Sequence, residues 1–459
     1  MKLIKSKKAS ENYLSKIVKI DTFRKHNDPE VNKLKCCTID GFNIITGIDS
    51  EPGLYVYFPG LSQINSDFLS YANLYRHKEL NKDPEQSGMF EDNGRVKSIR
   101  LRGELSEGFI IPVVVLQNYV LSVTNKELDG ITDGTEFDAV EHDGKEFWIS
   151  KKYVPKHTQQ QGSGVGGKQS KKVPKGLDKV IDTQFRFHYD TTLIKKCPFV
   201  LSPDSLIQIS SKIHGTSGIS AHVLCRREET LKEKILRFLR INTEEKTQYD
   251  YLYSSRTVIK NKFYNKNVKD GFYGVDVWAE ADKIVRPHLE KGQTAYYEIV
   301  GFLPNGGYIQ KNYDYGCVAP RDNETYTSEK HFKVRIYRIT YTNVDGKVLE
   351  YSTHQVQQWC EKHGLIPVEE YYYGKAKDLY PDIDPSNHWN ENFLDRLANE
   401  KAFNMEKNSP ECKNKVPHEG VVIKIEDGMS RAFKLKCFKF INKEQEALDS
   451  GEENIEDEA

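Results

Sequence analysis

The sequence lacks the long apolar runs and clustered cysteines that would assign it to several protein classes. No hydrophobic stretch approaches the roughly 18 residues of a membrane-spanning helix, and the first residues, MKLIKSKKASENYL, contain no apolar signal segment. The eight cysteines show no CxxC spacing and no disulfide-framework density, and no His/Cys cluster indicates zinc. These absences predict a soluble, cytoplasmic protein with reduced thiols, and they imply neither a membrane nor a protein partner.

Neither sign of charge is in excess, because 67 Lys and Arg residues balance 67 Asp and Glu residues. The balance hides an acidic end: Glu444 to Ala459 contains eight acidic residues and no basic one. Without that end, the chain has 67 basic and 59 acidic residues. This excess of eight positive charges is compatible with a polyanionic partner. We expect residues 443–459 to form a disordered acidic tail.

A flexible basic linker is expected over residues 154–175, VPKHTQQQGSGVGGKQSKKVPK. It has four glycines within six residues, five lysines and no acidic residue, so it has no face to bury. Residues 162–168 fit GxxxxGK, the start of a phosphate-binding loop. Gln169 follows where Ser or Thr is required, and no apolar strand precedes, so the linker interpretation is favoured.

The linker separates two expected domains, which suits a chain of 459 residues. Residues 1–153 alternate in the manner of strands separated by Gly and Asp/Asn turns, which predicts a compact β-barrel. Residues 176–442 mix strands with helical stretches around 355–363 and 391–403, which predicts an α+β domain. The strand-like segments are SKIVKIDTF, KCCTIDGFNIITG, GLYVYFPG, VKSIRLRG, GFIIPVVVL and EFWISKKYV before the linker, and LIQISSKI, TAYYEIVGF, FKVRIYRIT and EGVVIKIE after it.

Lys212 is the first candidate for chemistry. It ends the strand-like LIQISSK and precedes the turn His214-Gly215. A lysine in that position can project into a cleft, where desolvation and nearby cations lower its pKa and make the amine a nucleophile. A solvated strand end is the alternative interpretation.

Four further charged residues fall within strand patterns of the second domain. Glu298 lies inside the buried-strand pattern TAYYEIVGF and therefore needs a hydroxyl, a cation or a metal as partner. Glu419 heads EGVVIKIE, on the face of Val421 and Ile423. Lys434 and Lys436, two residues apart in FKLKCFKF, face one side of a strand and suit a phosphate. For each, a solvated outer strand face is the alternative.

The ordered set KIHG, strand Glu, aromatic strand, EGVVIK and KLK resembles the covalent nucleotidyltransferase superfamily of ATP-dependent ligases and capping enzymes. The KIHGT form, with His214 where most ligases carry Asp, is similar to the RNA ligase branch typified by phage T4 RNA ligase 2. The resemblance covers Leu206 to Phe440. It implies ATP-grasp-like antiparallel sheets plus helices, ATP as substrate, and Mg²⁺ or Mn²⁺ as cofactor.

The resemblance implies roles for the matching residues. Lys212 would attack the α-phosphate of ATP and hold AMP, and Lys434 and Lys436 would bind phosphate. Glu298 would contact the ribose hydroxyls and, with Glu419, serve as a metal ligand, directly or through water. The implied nucleotide-binding set is Ile213, His214, Gly215, Ser217, Arg256, Glu298 and Tyr337.

Three members of this set depart from the usual pattern or stay ambiguous. Arg256 in YSSRTVIK resembles the family's Arg-Thr element, but it follows Lys212 by 44 residues because a charged insertion, residues 226–249, intervenes. Ser217 stands where the branch often has Asn. His214 has two open interpretations, a hydrogen bond near metal-bound water or a turn contact. Tyr337 would stack on the adenine.

The order of domains is similar to that of the RNA ligases found in Deinococcus and Naegleria, in which an OB-like domain comes first. Only 23 residues follow Lys436, too few for the C-terminal barrel of DNA ligases and capping enzymes. GRVKSIRLRGELSEGFIIP resembles the N-terminal signature of that family. Its cations are expected either to contact phosphates of RNA or to provide solubility: Arg95, Lys97, Arg100 and Arg102.

The sequence therefore predicts an ATP-dependent RNA ligase that joins 3′-OH and 5′-phosphate ends through a lysyl-AMP intermediate and an adenylylated 5′ end. Nick sealing in duplexes is the expected reaction, while RNA repair and tRNA restoration both stay open as its task. The expected partner is RNA or an RNA-containing duplex. Two alternatives stay open. One is a capping-type guanylyltransferase, which would use GTP, and the other is a nonenzymatic RNA-binding relic.

Overall fold

The described part of the chain forms two compact units. The computed structural model describes residues 1–154, 180–188, 191–227, 230–239, 246–260, 276–386, 388–429 and 431–450. The first unit contains the described residues of 1–164, 193–198 and 441–453, and the second those of 165–192 and 199–440. Apart from Val154, the predicted linker and its GxxxxGK segment lie outside the described residues, and so do residues 451–459.

Antiparallel sheets make up most of the first unit. Their largest ladder has four strands, in the order Gly108–Pro112, Gly53–Pro59, Ser15–Ile20 and Glu136–Phe137. Alternation in the Ser15–Ile20 strand buries Ile17 among aromatic side chains such as Phe58. The other strands are Arg24–Lys25, Leu34–Ile39 and Phe42–Gly47; Lys2–Ile4, Ala139–His142 and Lys145–Trp148; Ser62–Ile64 with Ser150–Lys152; and Ile99–Leu101 with Glu104–Ser106.

These ladders are separate sheets, and no closed barrel forms among the described residues, so the predicted OB-like barrel is not confirmed. Of the strand predicted from VKSIRLRG, only Ile99–Leu101 forms a strand in the structure. The helices of this unit are Ser66–Tyr71 and Val113–Thr124, with single 3₁₀ turns at Glu11–Tyr13, Lys78–Leu80 and Ile194–Lys196.

The expectation of one strand through GFIIPVVVL is wrong beyond Pro112. The strand ends there, and Val113 begins a 12-residue helix in spite of its β-branched run. Pro112 is the N-cap of the helix and still has the extended backbone of the strand, with ψ 135°. Leu116 and Val120, four residues apart, bury one face of this helix, so tertiary packing overrides local preference.

The second unit is a mixed fold in which helices flank two antiparallel sheets. Six strands pair in the order Ile259–Lys260, Thr247–Ser254, Thr216–Arg226, Gln293–Gly301, Phe332–Thr342 and Val348–Glu350. Four strands of the other sheet pair in the order Glu370–Lys375, Leu206–Lys212, Gly420–Ile425 and Arg431–Lys436. The helices are Leu231–Phe238, Val277–Val285, Thr353–His363, Ala376–Leu379 and Trp389–Ala398, with 3₁₀ turns at Arg286–His288 and Lys401–Phe403.

The core of this unit forms where the six-stranded sheet meets the helices Val277–Val285 and Thr353–His363. Trp278 and Tyr297 are almost fully buried there, together with Ile336. The strands predicted from LIQISSKI, TAYYEIVGF, FKVRIYRIT and EGVVIKIE are present, and so is the helix around 355–363. No helix of the described residues is long and apolar enough to cross a membrane.

Three elements lie where the chain passes from one unit to the other: the strand Thr192–Leu193, the 3₁₀ turn Pro198–Val200 and the helix Phe438–Asp449. This helix includes residues 443–449, for which the sequence predicts the start of a disordered tail. From Ile441 onward it belongs to the first unit. Gln445 explains the difference: its amide accepts a hydrogen bond from Ser98 N (2.9 Å) and donates one to Ser98 O (3.0 Å).

Candidate active site

Lys212 is the last residue of its strand and belongs to a set of paired residues that joins three strands. In register, Lys212 pairs with Gly420, and Gly420 pairs with Lys436 on the opposite side. Gly420 has φ +139°, and a Cβ there would lie 2.1 Å from Leu435 O. Only glycine therefore allows the central strand to lie this close to its neighbour.

Glu419 brings a buried carboxylate to the two lysines of that set. Its Oε1 lies 2.5 Å from Lys212 Nζ and 3.8 Å from Lys436 Nζ, and its side chain is 0% exposed. Apart from these ion pairs, neither oxygen accepts a hydrogen bond within the described residues. A buried carboxylate needs such cations, because an isolated buried charge is costly.

The strand Arg431–Lys436 supplies the predicted pair of lysines. Lys434 pairs in register with Val422 and lines a cavity of the second unit with a volume of about 150 Å³. Lys436 lies against Glu419 and over the Phe440 ring, 5.0 Å from its centroid. The two lysines are thus on one side of the strand, as the sequence predicts, but Lys434 faces the cavity and Lys436 the buried carboxylate.

The turn after Lys212 is held by the neighbouring sheet. Gly215 N donates to Glu298 Oε1 (3.1 Å), and a Cβ on Gly215 would lie 2.4 Å from Ile299 O. His214 Nδ1 lies 3.8 Å from Glu419 Oε2, and the backbone of His214 is held by the Tyr315 hydroxyl. The Tyr315 hydroxyl thus holds the backbone of the turn, while the imidazole of His214 lies near the Glu419 carboxylate.

Tyr337 presents its hydroxyl to the cavity within a chain of polar groups. The hydroxyl lies 3.0 Å from Ser217 Oγ and 3.3 Å from His188 Nδ1. Burial raises the pKa of Tyr337, so it stays protonated. Burial and then the positive charges of Arg256, Arg338, Lys212 and Lys434 lower the pKa of His188 to about 3, so its imidazole stays neutral.

Most of the predicted nucleotide-binding residues meet in this one cavity, and cations outnumber acids there. The predicted residues among its lining are Lys212, Ile213, Gly215, Ser217, Arg256, Glu298, Tyr337 and Lys434. Among the further lining residues, four are titratable and were missed by sequence reasoning: His188, Arg338, Glu350 and Lys424. Such a surplus of cations in an enclosed site favours a phosphorylated ligand.

A β-bulge explains why Arg338 was missed. Strict alternation would put Tyr337 and Arg338 on opposite faces, but the register shifts so that Tyr296 pairs with Arg338 and Tyr297 with Ile336. Tyr337 is the extra residue of this bulge, and both it and Arg338 line the cavity. Glu350 holds the Arg338 guanidinium with two bonds of 2.7 and 2.9 Å. His188 had no motif signal in the sequence.

The acidic groups present fit a hard divalent cation. The buried Glu419 carboxylate lies against Lys212, which lines the cavity, and Glu298 is itself a lining residue. Within the described ranges no three His, Cys, Asp or Glu side chains are grouped closely enough to enclose a metal. A cation held by Glu298 and Glu419 would therefore complete its coordination with ligand and water oxygens.

The predicted RNA-contacting cations of the first unit differ in availability. The Arg95 side chain is 0% exposed, and its guanidinium donates to Asp449 Oδ1 (2.5 Å) and Gln445 O (3.2 Å). Lys97 Nζ lies 3.2 Å from Asp449 Oδ2. Arg100 donates to Gly103 O, and Arg102 lies in a left-handed turn, both exposed. The predicted alternating strand through all four is absent, because only Ile99–Leu101 is extended.

Antiparallel sheets surround a cavity in which cations outnumber acids. Solved structures with a similar fold include those of a Naegleria gruberi RNA ligase. A variant with ATP and Mn has a TM-score of 0.51 and 14% identity, with 95% of this chain and 99% of that chain covered. The structure of the same ligase with PPi has the same TM-score, the same identity and the same coverage of both chains.

A third structure, a variant of that ligase with AMP and Mn, has a TM-score of 0.50 and 14% identity, and covers 94% of this chain and 98% of the other. No protein-family model and no curated protein sequence matches the chain. At this identity the likeness shows the fold, which this chain shares with an RNA ligase over nearly its whole length.

Proposed function

We propose that the chain is an ATP-dependent RNA ligase that joins 3′-OH and 5′-phosphate RNA ends through a lysyl-AMP intermediate. The observation that carries the proposal is the position of Lys212, at a strand end, in a cavity that also contains Arg256, Arg338 and Lys434. The shared fold supports it, because the neighbouring RNA ligase was solved with ATP, with AMP and with PPi.

In the first step, Lys212 Nζ attacks the α-phosphorus of ATP. A P–N bond forms, the bond from that phosphorus to the bridging oxygen breaks, and pyrophosphate leaves. Nζ must lose a proton to act as a nucleophile, and Glu419 Oε1, 2.5 Å away, is the carboxylate oxygen positioned to accept it. Lys434 and the two arginines would neutralise the phosphate oxygens.

The remaining groups would position the nucleotide. The neutral group of Tyr337, Ser217 and His188 provides hydrogen bonds without charge, which suits a base and ribose better than phosphates. Glu298 would contact the ribose hydroxyls. Mg²⁺ or Mn²⁺, held by Glu298 and Glu419, would supply charge neutralisation at the phosphates.

Two further steps would complete sealing. An oxygen of the RNA 5′-phosphate attacks the lysyl-AMP phosphorus, so the P–N bond breaks and AMP passes to the RNA end. The 3′-OH then attacks that 5′-phosphate, and AMP leaves as the phosphodiester forms. We propose nicks in an RNA-containing duplex as substrate, with Arg100 and Arg102 as the exposed candidates for phosphate contact.

A label-transfer assay tests the first step. The protein is mixed with α-labelled ATP or GTP and a divalent cation and then run on a denaturing gel, with Lys212→Ala alongside. We expect label from ATP that survives denaturation and is absent from the variant. Label from GTP would favour a capping-type guanylyltransferase instead, and absence of label with both nucleotides would contradict the proposal. Addition of EDTA should abolish the transfer.

A further inference from the structure

A buried hydrogen bond joins the residues that immediately precede Lys212 and Glu419. Ser211 Oγ lies 3.1 Å from His418 Nε2. Ser211 is 3% exposed and His418 is 2% exposed, so water does not compete for this bond. The bond therefore ties the end of the Lys212 strand to the start of the strand that follows Glu419.

The pairing between the two strands ends at this point. Lys212 is the last residue of its strand, and its rung with Gly420 is the last rung of the ladder. Glu419 precedes its strand. Both reactive side chains therefore extend from strand ends, where fraying is easiest. The Ser211–His418 hydrogen bond is a side-chain link next to that end.

The histidine itself is held by a third strand and a loop. His418 N donates to Lys407 O (3.0 Å), and the Tyr371 ring lies edge-on to the imidazole with centroids 6.2 Å apart. Tyr371 in turn stacks on Phe403, with centroids 5.5 Å apart. Tyr371 thus contributes its ring to the support of this hydrogen bond.

We propose that Ser211 and His418 are positioning residues that hold Lys212 opposite Glu419 for attack on the nucleotide. The inference rests on the proposed function, since it assigns these residues to the lysyl-nucleotide step. They act through the backbone of the next residue in each case. Ser211 is one of many residues that line the cavity, and the charged contacts to ATP would come from others, such as Arg256, Arg338 and Lys434. Loss of the bond should therefore slow the chemical step much more than it weakens nucleotide binding.

The test is single-turnover lysyl-AMP formation with Ser211→Ala, measured from low to saturating concentrations of labelled ATP. We expect the rate constant at saturation to fall about tenfold, the value of one buried hydrogen bond. The ATP concentration for half-maximal rate should change by at most about twofold, and the amplitude should be unchanged. The amplitude reports the fraction of competent protein, so a merely structural role would lower the amplitude and leave the rate constant as it is. Ser211→Thr, which keeps the hydroxyl, should restore the rate.

Two further variants complete the experiment. Ser205→Ala removes a hydroxyl just before the other end of the same strand and should match the wild type in both rate and amplitude. The double variant Ser211→Ala/His418→Asn should react no more slowly than Ser211→Ala, because the two residues share one interaction. A wild-type rate in Ser211→Ala would overturn the inference. Failure of the wild type to take label from ATP would overturn the proposed function itself.

Discussion

His188 is a buried histidine in a site full of cations, and this has a consequence for stability. Its pKa is lowered to about 3, by burial first and then by Arg256 and Arg338. In the unfolded chain a histidine takes up a proton as the pH falls through about 6.5. Between those two values the unfolded state binds the extra proton, so acidification favours unfolding.

We therefore expect the free energy of unfolding to fall as the pH is lowered from 7 to 5, with His188 contributing roughly 1–2 kcal/mol of that loss. Urea denaturation at each pH measures it. His188→Gln should lose less stability over this interval than the wild type. His354→Gln, which replaces an exposed histidine of the same unit, is the control. Equal pH dependence of wild type and His188→Gln would contradict the assignment.

At the scale of residues, the sequence predicted what local patterns determine. Lys212, Glu298 and Lys434 lie in short strands whose alternation is visible, and they meet in the cavity as expected. His188 and Arg338 could not be found this way. His188 belongs to a segment without periodicity. Arg338 lines the cavity because of a β-bulge, which is visible only in the strand pairing.

At the scale of elements, Gly420 decides how closely the strands around Lys212 can pack. Gly420→Ala should lower the free energy of unfolding by about 3 kcal/mol or more, because a Cβ would lie 2.1 Å from Leu435 O and the φ of +139° is strained for alanine. The label transfer should fall with it, since the shifted rung contains Lys212 and Lys436.

Gly428→Ala is the matched control for this prediction. Its φ is also positive, at +81°, but nothing lies within 4 Å of the added Cβ. Gly428→Ala should lower the free energy of unfolding by about 1 kcal/mol, from backbone strain alone, and leave label transfer intact. Similar losses for both variants would show that backbone conformation, and not the close approach to Leu435, makes glycine necessary at Gly420.

Elements also show where sequence patterns mislead. Periodicity located the strands of the second unit, but it extended the strand before Val113 through what is a helix. The valine run favours extended structure locally, while the burial of Leu116 and Val120 four residues apart favours the helix. Contacts with residues distant in sequence decide between the two, and a single sequence does not display them.

At the scale of the whole chain, the helix Phe438–Asp449 belongs in part to a unit built mainly from residues near the N-terminus. The sequence could not predict this, since acidic residues dominate the segment and its contacts lie about 350 positions away. Gln445 forms two hydrogen bonds with the backbone of Ser98, and Asp449 pairs with the buried Arg95. These contacts replace solvent for groups that are otherwise costly to bury.

Gln445→Ala should accordingly destabilise the first unit by about 2–3 kcal/mol, because it leaves both Ser98 N and Ser98 O buried without the partners that Gln445 provides. Glu446→Ala, at the next and exposed position of the helix, should change stability by less than about 0.5 kcal/mol. Hydrogen exchange at Ser98 N gives a local readout: protection should drop in Gln445→Ala only. Unchanged protection there would mean that the helix end contributes nothing to the first unit, and the predicted disordered tail would then begin where the sequence placed it.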